Sequence, residues 1–378
     1  MKNVILHLSL IESIGPAVVG AIVAHELKAQ DAVNIYELSA YDIRQRYGLS
    51  SDTAQKIVTG LADTARLDRE LALIEKHSIA WATAWCAQYP KILKEIHLPP
   101  TLLYWQGTIA DDRNAIAFVG SRKVNEYGTA VIQQLVPPMV RAGWSIVSGG
   151  ALGADTLAHK VALEHKGKTV AVLGSGLLCQ YPSSNKKLFA EIATRGGAVV
   201  SSFPLTMEAL AGNFPARNRI ISGLSRGSVV VQAAEKSGAL ITARFALDQG
   251  REVFAVPGSI ADPLSAGCHG LIAQGAKLVT TAQDILGEFG VVAEKTEQMS
   301  IPELPLVAVP KPIHTVSAPA VSGPVGAVLA ACARASSSED IAVQAGLNFQ
   351  EVQDMLFDLQ LEGKVTQNYA GMWQRSTI

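Results

Sequence analysis

The stretch WSIVSGGALGADTLAHKVALEH, residues 144–165, joins an apolar strand, a glycine loop and a helix in direct succession. The apolar run before Gly149 is short and continuous, which is typical of a strand covered on both faces of a parallel sheet. The residues after the glycines have apolar side chains at helical spacing. This order predicts one unit of an α/β fold.

The same unit recurs along the middle of the chain. Further strand-like segments are AIAFVGS (115–121), KTVAVLGSG (168–176), AVVSSFP (198–204), GSVVVQAA (227–234) and EVFAVPGS (252–259). They alternate with helical segments, one of which is predicted to begin at Arg217. The alternation predicts a doubly wound, mainly parallel, Rossmann-like sheet.

The segment before this sheet predicts short helices. Apolar residues at helical spacing follow the turns IGP (14–16) and YGLS (47–50), and Ser50 or Ser51 is the expected N-cap of one helix. The pattern predicts an all-helical domain of SAM-like or helix-hairpin-helix-like type over residues 1–84. No basic cluster lies near either turn, so we favour a packing role over DNA contact.

Two proline-containing segments predict connections. Residues 89–107 contain prolines that exclude a long helix, so they are expected to form an extended connector at the start of the Rossmann-like domain of residues 85–290. Residues 291–323 contain five prolines and are expected to form a linker.

The last segment, residues 324–378, predicts three helices and a strand–turn–strand around Ala370-Gly371, which is the order of a winged helix. Its third helix, NFQEVQDMLFDLQLE (348–362), contains no lysine or arginine. An acidic helix repels the phosphates of duplex DNA, so we expect this domain to contact protein or another copy of itself. Trp373 is expected to anchor its core.

Composition excludes several classes of protein. The 378 residues are 48% hydrophobic, which is enough for more than one globular domain. The apolar start after Lys2 is interrupted by His7 and Glu12, which favours a helix over a signal peptide, and no run is long enough to span a membrane. The four cysteines form no CxxC pair. We therefore expect a cytoplasmic protein without a zinc site or disulfide framework.

The net charge of -1 hides an uneven distribution. Between Arg113 and Glu288 there are seventeen Lys/Arg and eleven Asp/Glu, a balance of +6, whereas the rest of the chain has fifteen and twenty-two, a balance of -7. A surface that binds a polyanion is therefore expected in the middle block.

Loops at the predicted carboxyl ends of the strands could hold phosphate. Ligands of open parallel sheets bind at this edge, where glycine amides and helix N-termini favour anions and arginine bonds phosphate oxygens. The candidates are Gly120, Ser121, Arg122, Gly149, Gly150, Asn185, Lys186, Arg217, Asn218, Arg219 and Lys236. We expect the five cations among them to meet at one rim, with Tyr181 and Phe214 as stacking candidates and Phe203 and Phe245 in the core.

Common enzyme motifs are missing from the same loops. GSGLLCQYP lacks the third glycine of a dinucleotide-binding loop, and GGALGAD lacks the Gly-Lys-Ser/Thr of a P-loop. The sequence contains no HExxH and no GxSxG. We expect His159 and His165 to pack or face solvent and Asp155 to cap a helix or to interact with the helix dipole. The loops therefore predict no catalytic residue, cofactor or metal.

The motifs SGGALGADTLAHKVAL, VLGSGLLCQYPSSNKKL and NFPARNRIISGLSRGSVVVQAAEKSGALITARFALDQGREVFAVPG, in this order, resemble the DNA-processing protein DprA (Smf) family. The resemblance covers roughly residues 85–290. It implies a homodimeric protein of natural transformation that binds and protects incoming single-stranded DNA and helps load the recombinase RecA onto it. No cofactor or catalytic centre is implied.

The resemblance also implies which residues bind DNA. They are Arg122, Lys186, Arg217, Arg219 and Lys236, and the adjacent Lys187 is an alternative to Lys186. Two other functions stay open at this point. One is a nucleotide-processing enzyme of phosphoribohydrolase type, although VPGSIADP (256–263) lacks the second glycine, the Gly-Thr and the glutamate of that class. The other is an interaction scaffold.

Overall fold

The computed structural model describes residues 1–29, 33–109, 114–291, 323–367 and 372–376. The described residues up to 291 form one compact unit, and those from 323 onward form another. The predicted linker falls almost entirely outside the described residues, as does the predicted turn at Ala370-Gly371, so both stay predictions.

Helices occupy most of the first 76 residues. They are α1 Lys2–Leu10, α2 Pro16–Glu26, α3 Ala40–Tyr47, α4 Ser51–Ala62 and α5 Thr64–Lys76, with a 3-10 turn at Ile35–Glu37. The Ser50 hydroxyl accepts a bond from the amide of Thr53 at 3.1 Å, which confirms Ser50 as the N-cap of α4. In α1, Ile5 packs among the other helices while Leu6 packs against the sheet. The helical segment is therefore joined to the sheet through a shared core, and its SAM-like identity stays a prediction.

One sheet of nine strands forms within the described residues. The strands are β1 Ala80–Thr83, β2 Leu102–Gly107, β3 Ala115–Val119, β4 Ser145–Ser148, β5 Thr169–Val172, β6 Ala198–Ser201, β7 Gly227–Val230, β8 Glu252–Ala255 and β9 Lys277–Leu278. Their spatial order is β1-β2-β6-β5-β4-β3-β7-β8-β9. The pairs from β6 to β9 are parallel, which confirms the mainly parallel α/β class. The order reverses between β3 and β7, and this reversal is the switch point of the sheet.

The antiparallel edge of the sheet was not predicted, and β1 lies within residues 1–84, which were expected to be all helical. Residues 89–107 do not form an extended connector: they contain a short helix, α6 Lys91–Lys94, and strand β2. Strand β2 pairs antiparallel with β1 on one side and with β6 on the other. Its residues Leu103 and Tyr104 are fully buried. The prolines exclude a long helix here, as expected, but the apolar run that follows them extends the sheet.

Helices cover both faces of the sheet. They are α7 Glu126–Arg141, α8 Ala154–Glu164, α9 Lys186–Thr194, α10 Asn213–Gly223, α11 Gly238–Asp248, α12 Ala266–Ala273 and α13 Ala282–Glu288. Along β3, Ala117 and Val119 pack in one core, whereas Ile116 and Phe118 pack in the other. Burial of both faces explains why the strand sequences are continuously apolar.

The second unit contains three helices and two strands within the described residues. They are α14 Pro324–Ala331, α15 Ser338–Ala345, α16 Phe349–Leu361, β10 Val365–Gln367 and β11 Trp373–Arg375. The two strands pair antiparallel. Trp373 is buried, and its indole nitrogen donates to the Ser338 hydroxyl at 3.1 Å, which confirms it as an anchor of this core. The element order is the one predicted, and the winged-helix identity stays a prediction.

Gly153 lies in the loop after β4 and packs against the loop after β3. We expect Gly153→Ala to destabilise the fold. Gly153 has φ +78°, and a Cβ there would overlap the carbonyl oxygen of Ser121. The added methyl group would strain both loops, so the free energy of unfolding should fall by about 1–3 kcal/mol in urea denaturation.

Gly20→Ala is the matched control. Gly20 lies inside α2, and a Cβ there meets no atom within 4 Å. Because alanine favours helix, this change should raise the free energy of unfolding by roughly 0.5–1 kcal/mol. Equal stability of Gly153→Ala and the wild type would contradict the close approach at Gly153.

Candidate functional site

A pocket of about 560 Å³ opens at the switch point of the sheet. Its walls come from the loops after β3, β4 and β7, from the start of α8 and from the first half of α10 and of α11, with Ile221 further along α10. Among its lining residues are six of the predicted site residues: Gly120, Ser121, Arg122, Arg217, Asn218 and Lys236. We call this the switch-point pocket. It lies at the edge where open parallel sheets bind ligands.

The exposed cations of this pocket are Arg122 and Lys236. In the part of the chain that the structure describes, neither forms an ion pair. The carboxylate among the lining residues is that of the buried Asp155. The pocket therefore has an excess of positive charge that is open to solvent, as a site for an anion requires.

The third cation, Arg217, is buried in the wall. Its Nη1 donates to the carbonyl oxygens of Gly149 and Val172, and its Nε donates to the Asn218 amide oxygen at 3.1 Å. Burial lowers the pKa of Arg217 to about 10, with Asp155 acting in the opposite direction, so the group is charged at neutral pH. A Cβ at Gly149 would lie 2.7 Å from the guanidinium carbon. A side chain at position 149 would therefore displace the guanidinium of Arg217.

Asp155 holds the glycine loop in place. Its Oδ2 accepts bonds from the amides of Gly149 at 3.1 Å and Ala151 at 3.3 Å. Burial raises the pKa of Asp155, and the charge of Arg217 and these amides oppose the rise. Asp155 does not cap α8, because the N-cap is Gly153 and it has no side-chain cap bond. Its carboxylate lies in the first turn of α8 and bonds amides of the preceding glycine loop instead.

His159 is buried behind the same loop. Its Nδ1 lies 2.6 Å from the Thr169 hydroxyl, which donates to the Ile146 carbonyl at 2.7 Å, so Nδ1 is the donor to Thr169. Burial, followed by the positive charge of Arg217, lowers the pKa of His159 to about 3. The imidazole is therefore neutral and packs in the core, whereas His165 is exposed, as expected.

An aromatic surface lies among the cations. The Phe214 ring centroid is 5.6 Å from the guanidinium carbon of Arg122 and 5.7 Å from that of Arg217. The exposed Tyr181 ring lies 6.0 Å from the Phe214 ring. Cations beside an aromatic face can hold a phosphate and stack a base at the same time.

Several predicted site residues lie outside this pocket. Lys186 and Lys187 are exposed at the start of α9 and do not line it. Asn185 is buried, and its Nδ2 donates to the Gly150 carbonyl at 2.9 Å and to the Thr156 hydroxyl at 2.7 Å. Gly150 is also buried. Asn185 and Gly150 therefore shape the glycine loop from behind.

Arg219 does not join the switch-point pocket. The helix α10 begins at Asn213, four residues before the predicted start, so Arg217 and Arg219 both lie on it. Side chains two positions apart project from opposite faces of a helix. Arg219 donates through Nη1 to the carbonyl oxygens of His97, at 2.9 Å, and Leu98. It lines a second pocket on the other face of α10.

The start of α11 is a part of the site that the sequence analysis missed. Ser237 and Gly238 line the switch-point pocket, and the Ser237 hydroxyl accepts a bond from the Ala239 amide as an N-cap. The first turn of α11 therefore adds a helix N-terminus to the pocket, which favours an anion. The signal was a Ser-Gly pair directly before an apolar helical run.

Two structural features bear on other classes of function. The residues that the structure describes contain no group of three or more His, Cys, Asp or Glu side chains placed to hold a metal ion. In the same residues, no helix has both the length and the apolar character needed to cross a bilayer.

Comparisons with known proteins show which family this chain matches. A family model described as DNA recombination-mediator protein A matches residues 80–290. The chain is 43% identical over 225 residues to the DNA processing protein DprA of Bacillus subtilis, covering 59% of this chain and 75% of that protein.

Two solved structures are similar to this fold. The X-ray structure of DprA from Streptococcus pneumoniae matches with a TM-score of 0.66 and 34% identity, covering 76% of this chain and 98% of that one. A structure of DprA from Helicobacter pylori, described as showing its single-stranded DNA binding mode, matches with a TM-score of 0.50 and 30% identity, covering 55% and 95%.

The buried state of His159 predicts a pH-dependent stability. An unfolded histidine takes up a proton near its ordinary pKa of 6.5, whereas the folded pKa of His159 is about 3. Between pH 3 and pH 6.5, the unfolded state therefore binds more protons than the folded state. The free energy of unfolding should fall as the pH drops below about 6.5. The loss is at most about 1.4 kcal/mol per pH unit for this group.

His159→Gln should lower stability at neutral pH and flatten that dependence, measured by urea denaturation at several pH values. His7 is also buried with a lowered pKa, so part of the slope should remain. The exposed His165→Gln is the control and should keep the wild-type slope. A full wild-type slope in His159→Gln would rule out a neutral buried His159.

Proposed function

The chain belongs to the DNA recombination-mediator protein A family, and we propose on this basis that it binds single-stranded DNA in the switch-point pocket. The observation that carries the proposal is that Arg122, Arg217 and Lys236 line one pocket with Phe214, and that Arg122 and Arg217 lie beside its ring. Positive charge and a stacking surface together are what proteins use to hold an unpaired strand.

The pocket suits a single strand better than a duplex. In a duplex, the bases are paired and stacked inside, so their faces cannot reach Phe214. A single strand has a flexible backbone and unstacked bases, so one nucleotide can enter the pocket while its neighbours stay outside. The exposed Arg122 and Lys236 are then placed to contact phosphates, and Tyr181 extends the stacking surface.

We assign the remaining predicted residues supporting roles. Gly120 and Ser121 present the loop after β3 to the strand, and Asn218 holds the Arg217 side chain through its amide oxygen. Gly149, Gly150 and Asn185 fix the glycine loop. Lys186 is exposed near this loop and would contact phosphates outside the pocket, with Lys187 as the alternative.

We also propose that the protein acts by binding and not by catalysis. The acid of the pocket, Asp155, is buried and occupied by two backbone amides. The nearby His159 is neutral and bonded to Thr169. Neither group is placed to take a proton from a substrate in the pocket.

In the cell, the proposed role is to protect incoming single-stranded DNA during natural transformation and to help load RecA onto it. The family's description as a recombination mediator supports this role. The protein would act in the cytoplasm, as a homodimer, without a cofactor. The second unit supports contact with a protein: its helix α16 exposes Phe357 at 61% between Asp354 and Asp358.

Removing the exposed cations of the pocket should weaken DNA binding. Arg122→Ala and Lys236→Glu should each reduce the affinity for an oligothymidylate about tenfold or more, because each removes a charge-assisted bond to a phosphate. The log–log dependence of affinity on salt should become shallower by about 0.7 for each phosphate that is no longer neutralised. Fluorescence anisotropy at several salt concentrations measures both quantities.

Lys123→Ala is the matched control, because Lys123 is exposed beside Arg122 but does not line the pocket. Arg217→Ala is less informative, since it also removes the bonds to Gly149 and Val172. Equal losses of affinity at Arg122, Lys236 and Lys123 would place the DNA elsewhere. Release of base or phosphate from mononucleotides by the wild type, abolished in Arg122→Ala, would favour an enzyme.

A further inference from the structure

A second pocket of about 560 Å³ lies on the face of α10 that carries Arg219. Its walls come from the end of α1 and the turn into α2, from α5, from the start of β2 and from the loop after β6. We call it the back pocket and define it by Ser13, Arg66, Ser202, Phe203, Met207 and Arg219. The proposed function above does not use it.

The lining of the back pocket has the chemistry of a nucleotide site. Arg66 is exposed, and its side chain forms no ion pair with the residues that the structure describes. Arg219 is anchored through Nη1 alone, which leaves Nε and Nη2 as donors. The ring of Phe203 was expected in the core. It is half-buried instead and lines the same pocket. The carboxylate among the lining residues is the exposed Glu12.

The back pocket and the switch-point pocket share a wall. In α10, Phe214 and Arg217 line the switch-point pocket, whereas Ala216 and Arg219 line the back pocket. Pro215 and Ala216 are exposed, so a chain can cross the helix on its solvent side. A helix is about 10 Å wide, which is a distance that a few nucleotides of extended strand can cover.

The backbone at the back pocket is strained. Ser13 has φ +65° and lines the pocket, and Leu98 has φ +49° and accepts a bond from Arg219. They are two of the four residues other than glycine with positive φ in the described part of the chain. Such conformations are costly and cluster at binding sites.

We propose that the back pocket binds a further nucleotide of the strand that occupies the switch-point pocket. Its phosphate would lie between Arg66 and Arg219, and its base would pack against Phe203. This inference rests on the proposed function, since the switch-point pocket must hold the strand first. In this arrangement, Arg219 contacts the DNA on one face of α10 and Arg217 lies on the opposite face.

The test uses Arg66→Ala in the full-length protein and a series of oligothymidylates of increasing length. The shortest oligonucleotides that bind should fill the switch-point pocket alone, so Arg66→Ala should bind them like the wild type. For longer ones, the affinity should fall about threefold to tenfold and the salt slope should become shallower by about 0.7. Phe203→Leu should show the same length dependence with an unchanged salt slope, because it removes a ring and no charge.

The matched control is Arg69→Ala on the same helix, since Arg69 is exposed but does not line the pocket. If Arg66→Ala and Arg69→Ala behave alike at every length while Arg122→Ala still binds weakly, the inference fails and the proposed function stands. If Arg122→Ala binds every length normally, the proposed function fails. Binding of free dTMP that Arg66→Ala abolishes, with oligonucleotide binding unchanged, would overturn strand binding in favour of a mononucleotide site.

Discussion

The buried guanidinium of Arg217 constrains the whole functional edge of the sheet. It is bonded to the carbonyl oxygens of Gly149, directly after β4, and Val172, at the end of β5. A buried charge is tolerated only where dipoles or an opposite charge compensate it, and here two carbonyls and the nearby Asp155 do so. Burial keeps His159 neutral, and the charge of Arg217 acts in the same direction. One side chain thus links α10 to the carboxyl ends of β4 and β5.

The sequence was sufficient to predict the parallel part of the sheet and the edge at which the switch-point pocket opens. Continuous apolar strands occur where both faces are buried, and the carboxyl ends of parallel strands must share one edge. Arg122 and Lys236 follow two such strands, and the structure brings them to one pocket. Strand β2 was missed because its partner β6 lies far away in the sequence, and the prolines before it indicated only that no long helix forms.

Side-chain direction was the part that the sequence could not supply. Arg217 and Arg219 are close in the chain and were expected at one rim, but both lie on α10, and helical geometry separates their side chains. The predicted helix began after Pro215, although proline is compatible with the first turn of a helix. Asn185 was expected at the surface and is turned inward to bond Gly150. The residues that lie in a loop can be predicted from the order of the strands. Which of their side chains point inward depends on packing.

The division of cations by α10 has a physical consequence for how a polyanion is held. Charges in water are screened over about 10 Å at moderate salt, which is close to the width of a helix. In the proposed complex, Arg122 and Lys236 on one face would therefore act mainly on different phosphates from Arg66 and Arg219 on the other. A stiff duplex cannot bend around a single helix, whereas an unpaired strand can. The separation of the two cation pairs by one helix thus favours a flexible strand over any rigid polyanion of the same charge.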